Sequence, residues 1–276
     1  MGVTPSRSIK SPYPETELPI RMFFDHLERI FKLSLLGALT LLAISFFQKD
    51  RLPAPSFFDQ TVLTQPLQTP TQSSSFKTQV NAQTYIVTPL FDYQLNGVVV
   101  TDYESGSFGD IYHHRRWKDF LNVKDLCVVW GENVRSDVFR KMAYRSGPWT
   151  CFIQPPDRQA AKQFKDDQLS NNHLLTDDID LHRLIMSAAP GDQVMIKGML
   201  ANYRNQATRF DRGTSTTRTD TGNGACETVY VTDFAIVKKA NRLWRTAYRI
   251  ALFLAVAAAL CFVVTLMVRP AKRPYR

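Results

Sequence analysis

The stretch Asp177–Tyr203, DDIDLHRLIMSAAPGDQVMIKGMLANY, changes its hydrophobic period in the middle, and the fold turns on that change. In the first half Leu181, Leu184 and Ile185 recur at helical spacing behind Asp177 or Asp178 as N-cap, and Pro190-Gly191 ends the run. In the second half Val194, Ile196 and Leu200 alternate with Met195, Lys197 and Met199, the period of a strand with one buried face. A short helix feeding a strand is therefore expected here.

Working outward, Glu227–Lys239, ETVYVTDFAIVKK, reads as a last strand in which Asp233 interrupts the alternation as a bulge does. Upstream, Tyr93–Tyr103 (YQLNGVVVTDY), Asp125–Gly131 (DLCVVWG) and Trp149–Ile153 (WTCFI) read as strands from their β-branched and aromatic content. NVRSDVFRKMAYRSG reads as a short helix closed by Gly147 and Pro148. The expected class is mainly β with short helices (α+β). Three strands, a helix and two strands is the order of the OB-fold, and GDQVMIKGML with TVYVTDFAIVKK resembles the closing strands of OB-fold domains. The resemblance implies an OB-fold-like five-stranded barrel, with insertions near 133–145 and 203–225.

Two uncharged runs bracket this region, Leu33–Phe47 and Ile250–Val268. The second has 19 residues between Arg249 and Arg269, enough at 1.5 Å per residue to cross a hydrocarbon core of about 30 Å. The first is shorter, but Ile30 and Phe31 extend it and Lys32 can snorkel. A cleaved signal peptide competes with an anchor there; SFFQKD lacks the small residues such cleavage needs. The expected layout is a tail with an amphipathic helix (1–29), a first transmembrane helix (30–48), a Pro/Gln/Thr/Ser-rich linker (49–84), the β-rich domain (85–240), a basic juxtamembrane segment with the second transmembrane helix (241–268) and a basic tail (269–276).

The formal charge of +9 sits at the membrane edges, because residues 33–237 carry 20 basic against 21 acidic side chains. Lys and Arg flanking the spans suit anionic headgroups, which makes the lipid bilayer a partner and argues against nucleic acid. Ala251, Ala255, Ala257, Ala258 and Ala259 would let the second span pack closely on the first or on a twin copy, so a protein partner or homo-oligomer is expected. The positive-inside balance is nearly even. The expected placement is a bacterial inner membrane, both termini cytoplasmic and the central domain extracytoplasmic.

Candidate chemistry concentrates in Thr214–Glu227, TSTTRTDTGNGACE. It lacks the lysine of a phosphate loop, and Glu227 stands where a dinucleotide fingerprint needs its third glycine. As the connection between the last two strands it offers Arg209, Arg212, Ser215, Arg218, Gly222 and Gly224 as a ligand-binding set for a small anion, glycan or oligonucleotide. Three cysteines lie in the domain; a Cys151–Cys226 bridge is one reading and three thiols the other. A thiol-dependent enzyme would use Cys226 as nucleophile, His173 as base and Asp220 as orienter. His113 and His114, adjacent on a strand, would point apart, so no metal and no cofactor are expected. The first expectation for function is a membrane-anchored, non-enzymatic binding or assembly protein, with the ligand module and the thiol enzyme as alternatives.

Overall fold

A computed structural model of the chain describes residues 17–220 and 225–269. In chain order these form α1 (Glu17–Lys49), β1 (Leu67–Pro70), β2 (Phe76–Val80), β3 (Gln83–Glu104), β4 (Asn122–Val129), α2 (Gly131–Arg135), β5 (Ala143–Gly147), β6 (Thr150–Gln154), α3 (Arg158–Gln163), β7 (Leu169–Leu175), α4 (Ile179–Met186), β8 (Gln193–Asn205), β9 (Asp211–Arg212), β10 (Glu227–Lys238) and α5 (Arg242–Val268). Two units result, one holding α1 and α5, the other residues 50–241.

The second unit is a mixed α+β domain with an eight-stranded sheet and a separate β5–β6 hairpin. Its longest strand, β3, pairs antiparallel with β8 from Tyr85↔Asn205 to Val98↔Gln193, and with β4 from Val98↔Val129 to Glu104↔Lys124. β4 runs antiparallel to β7, β7 parallel to β10, and β10 antiparallel to β8. Two glycines permit close approach. A Cβ on Gly97 would run into the side chain of Val128 and the carbonyl of Val129, and one on Gly198 into the carbonyl of Tyr230. The bulge expected at Asp233 is present as a register shift between Val231 and Asp233.

β4 is buried along its whole length, so its alternating side chains feed two cores. Leu126, Val128 and Trp130 join Leu174, Ile196 and Val229 under α4, whose Asp178 cap accepts from the amides of Asp180 and Leu181. Cys127 and Val129 join Val98, Val134, Val138 and Phe139 on the other side.

Several expectations change. The third main strand is β7, LSNNHLL, whose polar letters hide a strand buried along almost its full length. Trp149–Ile153 instead lies in the β5–β6 hairpin, and the helix expected over Asn133–Arg145 is reduced to α2 and one 3-10 turn before β5. The expected linker carries β1 and β2, which both pair with β3 because the free edge of a long strand satisfies their amides. Cys151 is joined to Cys127, at a Cα separation of 6.1 Å, and not to Cys226. Cys127 faces the second core from β4, and the β6 side of the hairpin packs into that same core.

In the first unit both helices are long and apolar enough to cross a membrane, Ile20–Lys49 and Arg242–Val268. They run antiparallel: Arg269 pairs with Asp25 and Glu28 at one end, and Arg245 Nε donates to the Lys49 carbonyl at the other. Ala251, Ala255 and Ala258 are buried, whereas Phe253, Leu260 and Val264 face outward.

A Gly198→Ala substitution should destabilise the domain by about 1–3 kcal/mol, because the β10 backbone cannot retreat without losing its pairing. Thermal unfolding in detergent would show it as a lowered Tm. Gly213→Ala, whose nearest neighbour is the Asn202 side chain at 3.5 Å, should leave Tm unchanged. Equal Tm values for both would refute the close approach.

Candidate functional site

The site grows from strand register. Asp125 of β4 pairs directly with His173 of β7, and two residues along Cys127 pairs with Asn171, which puts all four side chains on one face. β10 enters alongside β7 in parallel, with Thr228 opposite His173 and Glu227 opposite Asn172. Cys226, the residue just before β10, is thereby delivered to the same patch. Its Sγ lies 3.7 Å from Asn171 Nδ2 and 3.5 Å from the Trp149 carbonyl oxygen.

Trp149 comes from the tip of the β5–β6 hairpin. In the turn Gly147-Pro148-Trp149-Thr150, Pro148 sets the first central position and Trp149 takes the second with φ of 64°, a place that normally goes to glycine. A bulky residue there is strained, and its ring is what holds it: it lies 4.4 Å from the ring of His113, 4.8 Å from that of His173 and 5.9 Å from that of Phe210. Arg212 of β9 covers the indole at 4.5 Å.

His173 is fully buried, with Nδ1 2.8 Å from Asp125 Oδ1 and Nε2 3.2 Å from Arg212 Nη2. Burial disfavours the imidazolium, but the charge and hydrogen bond of Asp125, with the Cys226 thiol, raise its pKa to about 9. Arg212 opposes that protonation, since a doubly protonated ring would face it donor to donor. Asp125 prevails because its carboxylate is 1% exposed and poorly screened, whereas Arg212 reaches solvent. Burial likewise pushes the Cys226 thiol up, yet the hydrogen bond and charge of His173, Asn171 and the charge of Arg212 bring it below its ordinary value.

A cavity of about 510 Å³ opens beside this cluster, walled by Arg116, Arg209, Arg212, Trp117, Trp149 and Phe210 together with Thr208 and the one carboxylate of Asp211, so that its lining carries three positive charges against one negative. Trp117 and Phe210 stack at 5.6 Å, giving it a flat aromatic wall. Next to it His113 and Asp110 form a second buried pair at 2.7 Å. Asp110 also accepts from the amides of Tyr112 and His113 and from the Tyr103 hydroxyl, and these donors outweigh burial to lower its pKa.

Of the ligand set expected from sequence, Arg209 and Arg212 line this cavity together. Arg218 engages Glu227 and covers the ring of Tyr93 at 5.4 Å. Glu227 is opposite Asn172, so Arg218 serves the opposite face of β7 from Arg212. Ser215 donates to Asp220 Oδ2 at 2.6 Å, which removes Asp220 as the orienter of His173; Asp125 has that position. Gly222 and Gly224 lie outside the described residues. His113 and His114 sit in a helical turn, His113–Trp117, instead of on a strand. Sequence reasoning missed Asp125, Asn171 and Trp149, which lie in an apolar strand, a polar-lettered strand and a hairpin turn without a motif. The cluster at 115–118, weighed from sequence as a base-stacking set or a solvated edge, supplies Arg116 and Trp117 to the cavity wall. GPWT was the one local signal, a glycine-type turn position filled by Trp.

His173 has a raised pKa, so its contribution to stability should be complete below about pH 6.5 and fall away as pH rises through about 9. Denaturant unfolding across that range should show wild type exceeding His173→Gln most at the acid end, with the gap closing toward pH 9. A gap independent of pH would contradict the Asp125–His173 assignment.

Comparison of the chain with protein-family models, with curated proteins and with solved structures finds no match in any of the three.

Proposed function

We propose that the chain is a membrane-anchored binding module, with an OB-like barrel that takes a small anionic ligand bearing a planar group. The cavity carries this reading: three arginines supply charge-assisted donors and three aromatic rings supply a stacking face in one 510 Å³ space. A barrel of OB type is supported by the strand pairing, since passing from β3 through β4, β7, β10 and β8 leads back to β3. It is supported too by the single parallel pair β7–β10 and by α4 between β7 and β8. In that reading the cavity belongs to the β3–β4 and β8–β10 connections and the inserted hairpin, the loop region where OB domains bind ligands.

The two apolar helices support anchoring, and the Cys127–Cys151 bridge favours the oxidising side of the membrane for the domain. An inner-membrane protein with an extracytoplasmic domain, its helices able to associate with a further copy or another protein, follows from this reading.

Phenyl phosphate, an anion on a flat ring, is a direct probe. Titrated into the detergent-solubilised chain, it should quench Trp fluorescence, since Trp117 and Trp149 form the wall. Arg209→Ala and Arg212→Ala should each weaken binding about 10- to 100-fold, the equivalent of one charged hydrogen bond. Affinity indifferent to both substitutions would remove the proposal. For placement, an impermeant protease added to the outer face of spheroplasts should digest residues 50–241, and protection of that segment would reverse the orientation.

A further inference from the structure

We propose that Cys226, His173 and Asp125 form a nucleophilic thiol site that accepts an acyl group from an anionic substrate held in the adjoining cavity. Two strand registers and one side-chain contact converge on it. The β4–β7 register sets Asp125 Oδ1 2.8 Å from His173 Nδ1, both side chains removed from water, a charge contact that favours a proton on Nδ1 and leaves Nε2 as the working nitrogen. The parallel β7–β10 register brings Cys226 beside them from a point more than fifty residues later in the chain. The side-chain contact is that of Asn171: its Nδ2 is directed at Sγ from 3.7 Å, and its buried Oδ1 has no partner among the described residues. A side-chain amide beside a sulfur nucleophile is where an oxyanion needs a donor.

The remaining chemistry agrees. Cys127 and Cys151 are joined to each other, so Cys226 is the free thiol of the domain, and it is only half-buried. Its acidity is raised by His173 and by the charge of Arg212. Arg212 and Trp149 belong to both the thiol cluster and the cavity wall, which ties the reacting atom to the bound anion.

The step balances without any redox partner. The Sγ proton already resides on the His173 imidazole, whose pKa is raised, and the thiolate sulfur bonds to the carbonyl carbon of an ester or thioester. The carbonyl oxygen takes the negative charge and receives the Asn171 amide N–H. Collapse breaks the bond to the leaving group, which departs with the Nε2 proton. Water, deprotonated by the same nitrogen, then releases the acid and restores the thiol. Arg212 must lean from Nε2 onto the indole it already covers while the imidazolium exists. The anionic nature of the substrate rests on the ligand reading above, whereas the reactivity of the thiol does not.

The test uses the full chain in detergent with Cys261→Ala, which removes the exposed thiol on α5. Alkylation by neutral iodoacetamide should titrate with a midpoint below the ordinary thiol value of about 8.5. His173→Gln should move that midpoint up by at least one pH unit and slow alkylation at pH 7 about tenfold. Asp125→Asn, which keeps the size of the side chain, should move it in the same direction if His173→Gln does not fold. Incubation with p-nitrophenyl acetate should leave an acetyl adduct on Cys226 by intact mass and peptide mapping, absent in Cys226→Ser of unchanged Tm. An ordinary midpoint, a midpoint indifferent to both substitutions, or no adduct would overturn the thiol site. Arg209→Ala should reduce the preference for iodoacetate over iodoacetamide; if the preference persists, the anionic substrate falls and the thiol site stands.

Discussion

The double pairing of β3 is the constraint on which the domain rests. A strand of 22 residues gives its first part to β8 and its last part to β4, overlapping at Val98. Such a strand must twist and bend, and it does so where its register shifts, around Pro89–Phe91 and between Val99 and Thr101. Pro89 has no amide to donate, so an irregularity of the ladder is where it is tolerated. Gly97 lies near the second shift, where any Cβ would meet β4. Because β4 and β8 are both held by one strand, β7 and β10 are set in register between them.

From that register follows the polar face of β4 and β7. Asp125, Asn171 and His173 are all buried, and burying such groups costs stability unless each finds a partner. The Asp125–His173 pair compensates part of this, and the hairpin carrying Trp149 covers it. Yet His173 Nδ1, Asp125 Oδ2 and Asn171 Oδ1 fall short of full hydrogen-bond geometry. A hydrophobic filling of the same space would be simpler for folding alone. The strained turn at Trp149 adds to the same pattern, since its indole is what closes the patch over Cys226 and frames the cavity.

The division of labour between the faces of β7 explains why the arginines of one polar loop part company. Arg218 neutralises Glu227 on the face that carries Asn172, while Arg212 projects to the face of His173. A one-residue alternation separates an internal ion pair from a ligand-facing charge.

The amino-acid sequence by itself determined what depends on local period and composition: α4 and its Asp178 cap, the alternating strands β8 and β10 with the bulge near Asp233, and the two helices built around uncharged runs. These were legible because one buried face imprints its period directly on the chain. β7 was not, because SNNHLL is buried with polar side chains at successive positions, leaving no apolar period to read. The Cys127–Cys151 bridge, the replacement of Asp220 by Asp125 beside His173, and the meeting of Cys226 with both were decided only by tertiary structure. Each joins residues of different segments, and their distance is set by which strands pair and in what register, which the period of one strand alone does not give.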